Sequence, residues 1–178
     1  MEILHGYYQG QHQINEVLDW LRDAFAMELQ SGRVFTNLVN RTEQYPRLKN
    51  KFKEHLEQTY RQQEMLKGCI ERLGSSPSIM KDLAGKVIAF GQSVAGMSVS
   101  DEVVKATMSS YVFKQMEISS YTILIAASDA RGDYETKAVC ETILAEEFAM
   151  ADWLRENLPL ITREFLNRSE ELELAVEA

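Results

Sequence analysis

Each of the long helical patterns in this chain carries polar residues where its apolar stripe faces inward. A helix advances about 100° per residue, so a stripe can be phased from spacing alone. On the first pattern, Ile14, Leu18, Leu21, Phe25, Phe35 and Val39 share a face, and Glu28 falls on it. On the third, Glu117 lies with Phe113, Ser120, Leu124 and Ala127. On the fourth, Val139, Ile143, Met150 and Leu154 form the stripe, and Glu146 and Glu147 flank its centre. The second has Leu48, Phe52, Leu66, Ile70 and Leu73, with His55, Thr59, Gln62 and Gln63 in the middle. This is a set of carboxylates and one imidazole aimed across a core. Several carboxylates in one dry site cannot all ionise unless cations or donors neutralise them. A divalent metal does so directly, and oxygen with imidazole suits iron, manganese or, less selectively, zinc. The other solutions are protonation, water, or pairing with Arg or Lys. A single inward Glu is more often a paired structural carboxylate than a ligand.

The elements that position these residues are helices. Strand alternation and Asn-Gly or Asp-Gly turns are absent. The spacing predicts helices over about 14–41, 46–73, 101–130 and 134–158. Pro46 is read as a start, Gly74 as a C-cap, Ser100 as an N-cap, Gly132 as a turn and Pro159 as a stop. Residues 75–100 are too long for a tight turn and carry a short helical pattern over 79–94. Two helical hairpins joined by a long crossover describe an all-α, four-helix bundle with the connectivity of ferritins. After Pro159 a short amphipathic piece, "LITREFL", is expected to form a short C-terminal helix before a solvated acidic tail. The 178 residues are expected to form one domain.

Composition narrows the partners. Net charge is −8, which argues against a nucleic-acid surface. No apolar run is long enough to cross a membrane, and the polar N-terminus has no apolar signal core. Cys69 and Cys140 fit no metal spacing and read as reduced thiols in a cytoplasmic protein. His5 and His12 sit in a polar N-terminal stretch expected to be loose, and "RGD" at 131–133 reads as a helix terminator. Trp20, Trp153, Tyr111 and Tyr121 read as core or interface aromatics. No feature points to a small-molecule substrate.

Four segments together resemble the ferritin-like YciE/YciF family: "AFAMELQSG", "FKEHLEQTYRQQEMLKGCIERLGSSPS", "QMEISSYTILIAASDARGD" and "ETILAEEFAMADWLRENLP". Their order and spacing cover about residues 15–160. The resemblance implies a ferritin-like bundle, a homodimer, a dinuclear site for iron or manganese, and a stress-associated role. The ligands it implies are Glu28, His55, Glu57, Glu117, Glu146 and Glu147. The pattern departs from the family at Lys114, where an acidic residue is frequent, at Gln115 and at Gln62, where the family has His. Glu57 is phased toward the flank, and neither Glu146 nor Glu147 is followed by His at i+3. Two functions follow. One is a metal-dependent, oxidoreductase-like activity on O2 or peroxide. The other is a metal-free, dimeric bundle acting in stress or interaction without catalysis. In either case Glu117, Glu28 and the Glu146/Glu147 pair are expected to meet near His55. Without metal, at least one carboxyl should be protonated or bonded to Thr59, Gln62 or a tyrosine hydroxyl.

Overall fold

The computed structural model describes residues 2–74 and 102–177, with side chains over 16–74 and 103–170. Four helices occupy these segments: α1 (Glu2–Arg41), α2 (Pro46–Arg72), α3 (Glu102–Ala130) and α4 (Tyr134–Glu177). No strand occurs among the described residues. The crossover over 75–100, with its short helix and the Ser100 cap, lies outside them.

The two hairpins are α1 with α2 and α3 with α4. They pack so that α1 lies against α3 and α2 against α4. Short turns explain the hairpins. In the first, Thr42 folds its hydroxyl back to the Leu38 carbonyl at 2.7 Å, and Pro46 opens α2 at a position that needs no N–H donor. In the second, Gly132 turns with φ +67°, a left-handed conformation that favours glycine. Asp133 then caps α4 by accepting from the Thr136 N–H at 3.2 Å. Arg72 at the end of α2 donates to the same Asp133 carboxylate at 2.6 Å, tying α2 to the α3–α4 turn. The end of α2 and the end of α3 therefore lie at one end of the bundle.

The core is divided in two. One apolar cluster includes Leu21, Phe25, Leu66, Ile70, Leu124 and Ile143. The other includes Phe35, Phe52, Leu48, Met150, Leu154 and Ile161. The layer between them is polar and fully buried. It is built from Glu28, Ser31, His55, Thr59, Gln62, Lys114, Glu117 and Glu147.

Two helices run further than their sequence signals suggest. α1 begins at Glu2, where a loose segment is expected, and α4 continues through Pro159 to Glu177. Proline normally breaks a helix because it lacks an N–H and its ring meets the carbonyl of residue i−4. Pro159 is exposed, so the freed Arg155 carbonyl can face water. Leu154 before it and Ile161 after it enter the same core cluster. Arg168 then holds the far part of α4 against the first turn, donating to the Gln44 side-chain oxygen at 2.8 Å. The expected C-terminal helix is thus the end of α4. Since packing overrides a local cost, Pro159→Ala should raise stability in chemical denaturation by about 1–3 kcal/mol. A loss of stability would show that the proline fits a bend the core requires.

Candidate functional site

Lys114 sits at the centre of the polar layer. Its ammonium lies 2.5 Å from Glu117 Oε2 and 2.7 Å from Glu147 Oε2. His55 Nε2 is 2.7 Å away and Ser31 Oγ 3.2 Å. An ammonium has three protons. Glu147, His55 and Ser31 accept them, and Glu117 Oε2 packs against the same ammonium as its shortest contact. The ring of Phe35 lies 5.1 Å from the nitrogen, and that of Phe113 5.8 Å. Phe35 also stands edge-on to His55 at 4.6 Å, which fixes the imidazole plane. His55 Nδ1 faces Gln58 Oε1 at 3.1 Å. Nδ1 therefore carries the proton, and Nε2 accepts from Lys114.

Two further groups complete the layer. Gln62 donates from one amide nitrogen to Glu147 Oε1 and to Glu146 Oε2, each at 2.9 Å. Glu146 is part exposed and also accepts from Arg61 at 3.3 Å. Tyr121 donates to Glu28 Oε1 at 2.6 Å.

The charges follow from the geometry. One ammonium shares the site with Glu28, Glu117 and Glu147, and ionising all three acids would leave an excess of negative charge in a dry layer. Burial, with the Glu147 charge behind it, pushes Glu28 up to about 8. Burial also holds Glu117 well above the usual carboxylate range, against the pull of Lys114. Burial works the same way on Glu147, but Lys114 and the other donors outweigh it and hold this acid low. Burial opposes the Lys114 charge, yet the three acids keep its pKa raised. Burial and the Lys114 charge lower His55 to about 3. The layer at neutral pH is one ion pair, Lys114 with Glu147, surrounded by neutral donors and acceptors.

Of the residues expected as ligands, Glu28, His55, Glu117 and Glu147 come together, all fully buried. Glu146 stands at the rim, and Glu57 is exposed on the outer face of α2 and takes no part. Glu28 is bonded to a tyrosine hydroxyl and Glu147 to Gln62, two of the partners expected for a site without metal. The sequence stripe misses Lys114 and Tyr121. The buried face of α3 runs through Ser110, Phe113, Lys114, Glu117, Tyr121, Leu124 and Ser128; it keeps Phe113, Glu117 and Leu124 of the expected series and has Tyr121 and Ser128 in place of Ser120 and Ala127. The signal that finds both is their spacing of three and four around Glu117.

A resident metal does not fit this arrangement. Its position among the donors is held by Lys114, and the contacts of 2.5–2.7 Å suit an ammonium rather than metal bonds of about 2.1 Å. Among the described residues no group of three or more His, Cys, Asp or Glu side chains is arranged to hold an ion.

Comparison with known proteins agrees with the fold. Residues 15–167 match the family described as a domain of unknown function, DUF892. The chain belongs to this family. A protein of the same fold from Xanthomonas campestris is 32% identical, with a TM-score of 0.74 over 89% of this chain and 99% of that one. The Escherichia coli stress protein YciF is 20% identical, with a TM-score of 0.66 over 84% and 96%. A dodecameric thioferritin from Bacteroides fragilis, described as bacterioferritin-related, is 19% identical, with a TM-score of 0.64 over 85% and 89%. The DUF892 match and the YciF likeness agree with the YciE/YciF resemblance of the sequence, and the bundle is ferritin-like.

Two tests bear on the layer. Removing one partner of a buried pair costs about 3–5 kcal/mol, so Lys114→Met should destabilise the DUF892 chain by that amount in denaturant. Adding Glu147→Gln to it should cost far less than the two single losses combined, because the unpaired charge disappears with it. Additive losses would mean the two groups do not share a site.

The second test is pH dependence. The native state holds a proton on Glu28 that the unfolded chain releases near pH 4.3, so this group lowers stability as pH rises from there to about 8. Glu117 acts in the same direction. His55 acts oppositely: it is neutral when folded and takes a proton on unfolding below about 6.5, so stability falls as pH drops from 6.5 toward 3. Two acids outweigh one imidazole, so the contribution of these groups to melting temperature should grow as pH falls through neutrality and turn over only near about pH 4–5, where the unfolded carboxyls, that of Glu147 included, bind protons as well. Glu28→Gln should flatten the alkaline side, where one group contributes at most about 1.4 kcal/mol per pH unit. An unchanged alkaline slope would place its proton elsewhere.

Proposed function

We propose that this protein is a ferritin-like bundle whose buried cation is its own lysine, and that it works through self-association rather than metal-dependent catalysis. The observation that carries this reading is the Lys114 ammonium, within 2.7 Å of Glu117, Glu147 and His55. The ammonium supplies the positive charge that the carboxylates require, and it accepts no ligand bond and cycles no electrons. Of the two functions the sequence leaves open, the metal-free bundle is the one this geometry favours. A stress-associated role in the cytoplasm is proposed by likeness to YciF, which is described as a stress protein.

Self-association draws support from α3. Between Ala106 and Ser128 the only charged residues are Lys114 and Glu117, and both point inward. The outward face presents Met108, Val112 and Ile123, exposed by 45%, 63% and 54%. Surface helices normally carry charge on the face opposite their core, and this outward face has only Gln115, Ser119 and Thr122 as exposed polar residues beside its apolar ones. Two-fold packing of this face on a second copy is the simplest closed solution. The bacterioferritin-related relative is itself described as a dodecamer.

Protein purified without chelator or affinity tag should carry iron and manganese far below one ion per chain. In sedimentation it should run above the 20.4 kDa of a single chain. Val112→Glu with Ile123→Glu should return it to the monomer with its helicity intact. Stoichiometric native metal, or a wild-type monomer at micromolar concentration, would refute the corresponding half of the proposal.

A further inference from the structure

Three donors of the kinds that bind divalent ions converge on one point, and Lys114 Nζ occupies it. They are Glu117 Oε2 at 2.5 Å, Glu147 Oε2 at 2.7 Å and His55 Nε2 at 2.7 Å. They come from three helices, α3, α4 and α2, so the convergence is a product of the fold. The imidazole is already prepared as a ligand. Gln58 holds its Nδ1–H, which leaves the Nε2 lone pair aimed at the point. The layer also has unpartnered carboxyl oxygens: Glu28 Oε2 and Glu117 Oε1 are buried without a hydrogen-bond partner.

From this geometry we infer that Lys114 is a resident cation that excludes a divalent transition metal, and that truncating this one side chain opens a metal site made by His55, Glu117 and Glu147. The inference rests on the metal-free reading of the native chain and deepens it. Charge balance is kept. A divalent ion with two carboxylates is neutral, as the ammonium with one carboxylate is now, and the extra proton leaves from Glu117 as the ion binds. The donors need to close by about 0.5 Å to reach metal-bond length, a shift within reach of side-chain rotation. Water can enter the space vacated by the lysine chain and complete the coordination. One imidazole with two carboxylates suits iron, manganese and cobalt.

The test is titration with Co(II) alone, read by its visible d–d bands and by melting temperature. The wild-type protein should show neither bands nor a shift. Lys114→Ala should bind one ion per chain and gain melting temperature with added Co(II). Adding His55→Ala should weaken that binding at least about tenfold. A helical Lys114→Ala protein that shows no bands at millimolar Co(II), or one whose binding ignores His55→Ala, overturns the inference and leaves the metal-free reading standing. Stoichiometric binding by the wild type overturns both. If Lys114→Ala is unfolded, Co(II) should restore its helicity. The same titration is then run on Lys114→Ala with Glu28→Gln, which relieves the acid crowding and keeps all three donors. Failure of both rescue and binding there overturns the inference as well.

Discussion

One buried ammonium sets the terms for the rest of this bundle. Lys114 is the cation of a layer that holds three acids, and the layer lies between two apolar clusters. Apolar packing alone would bind the helices firmly but would discriminate weakly between registers one turn, about 5.4 Å, apart. The ion contacts do not tolerate such a slip. Moving α4 by one turn takes Glu147 away from both Lys114 and Gln62, and moving α2 takes His55 from the ammonium. Each displacement leaves a charge or a lone pair buried without a partner, which costs more than lost packing. The polar layer therefore fixes the depth at which all four helices meet.

Much of this was legible in the sequence. Helical periodicity separated the four elements, and Gly74, Gly132 and Pro46 marked their ends correctly because each acts through local backbone geometry. The inward Glu28, Glu117 and His55 followed from phase, since a helix face is fixed by spacing alone. Pro159 misled for the opposite reason. Its local signal is to stop, and the packing of Leu154 and Ile161 on either side overrides it. Glu57 entered through family likeness rather than phase, which put it only on the flank, and the structure leaves it exposed. Lys114 was the hardest to place. Lysine is read by default as a surface residue, and its burial depends on acids from other helices that no single-helix pattern contains. The stripe of α3 held at Phe113, Glu117 and Leu124 but put Ser120 where Tyr121 stands.

The comparison with ferritin-like proteins shows how little fold fixes chemistry. The helical bundle is the shared feature. What separates a metal-demanding centre from a metal-free one is the source of the positive charge. Carboxylates in a dry core must be neutralised by something, and an ion, a proton or a neighbouring side chain can each do it. In this chain the side chain does most of the work and protons on Glu28 and Glu117 do the remainder. Lys114 and the acids around it contribute register and charge balance to the bundle.

The same helix that supplies the ammonium also lacks charge on its outer face. This follows from a single demand on α3. Its inner face must accept the acids of α1 and α4, and its outer face carries Met108, Val112 and Ile123 where a solvated helix would carry Lys or Glu. A surface helix gains solubility and helical stability from charged pairs spaced three or four apart, and α3 has none along this outer stretch. Along this stretch its stability comes from the packing of its inner face. Cover on the outer face would keep water away from the back of α3 and so keep the layer behind it dry, which strengthens the Lys114–Glu147 pair. Under the proposed self-association, assembly and the central ion pair would reinforce one another, with α3 as the element that both share.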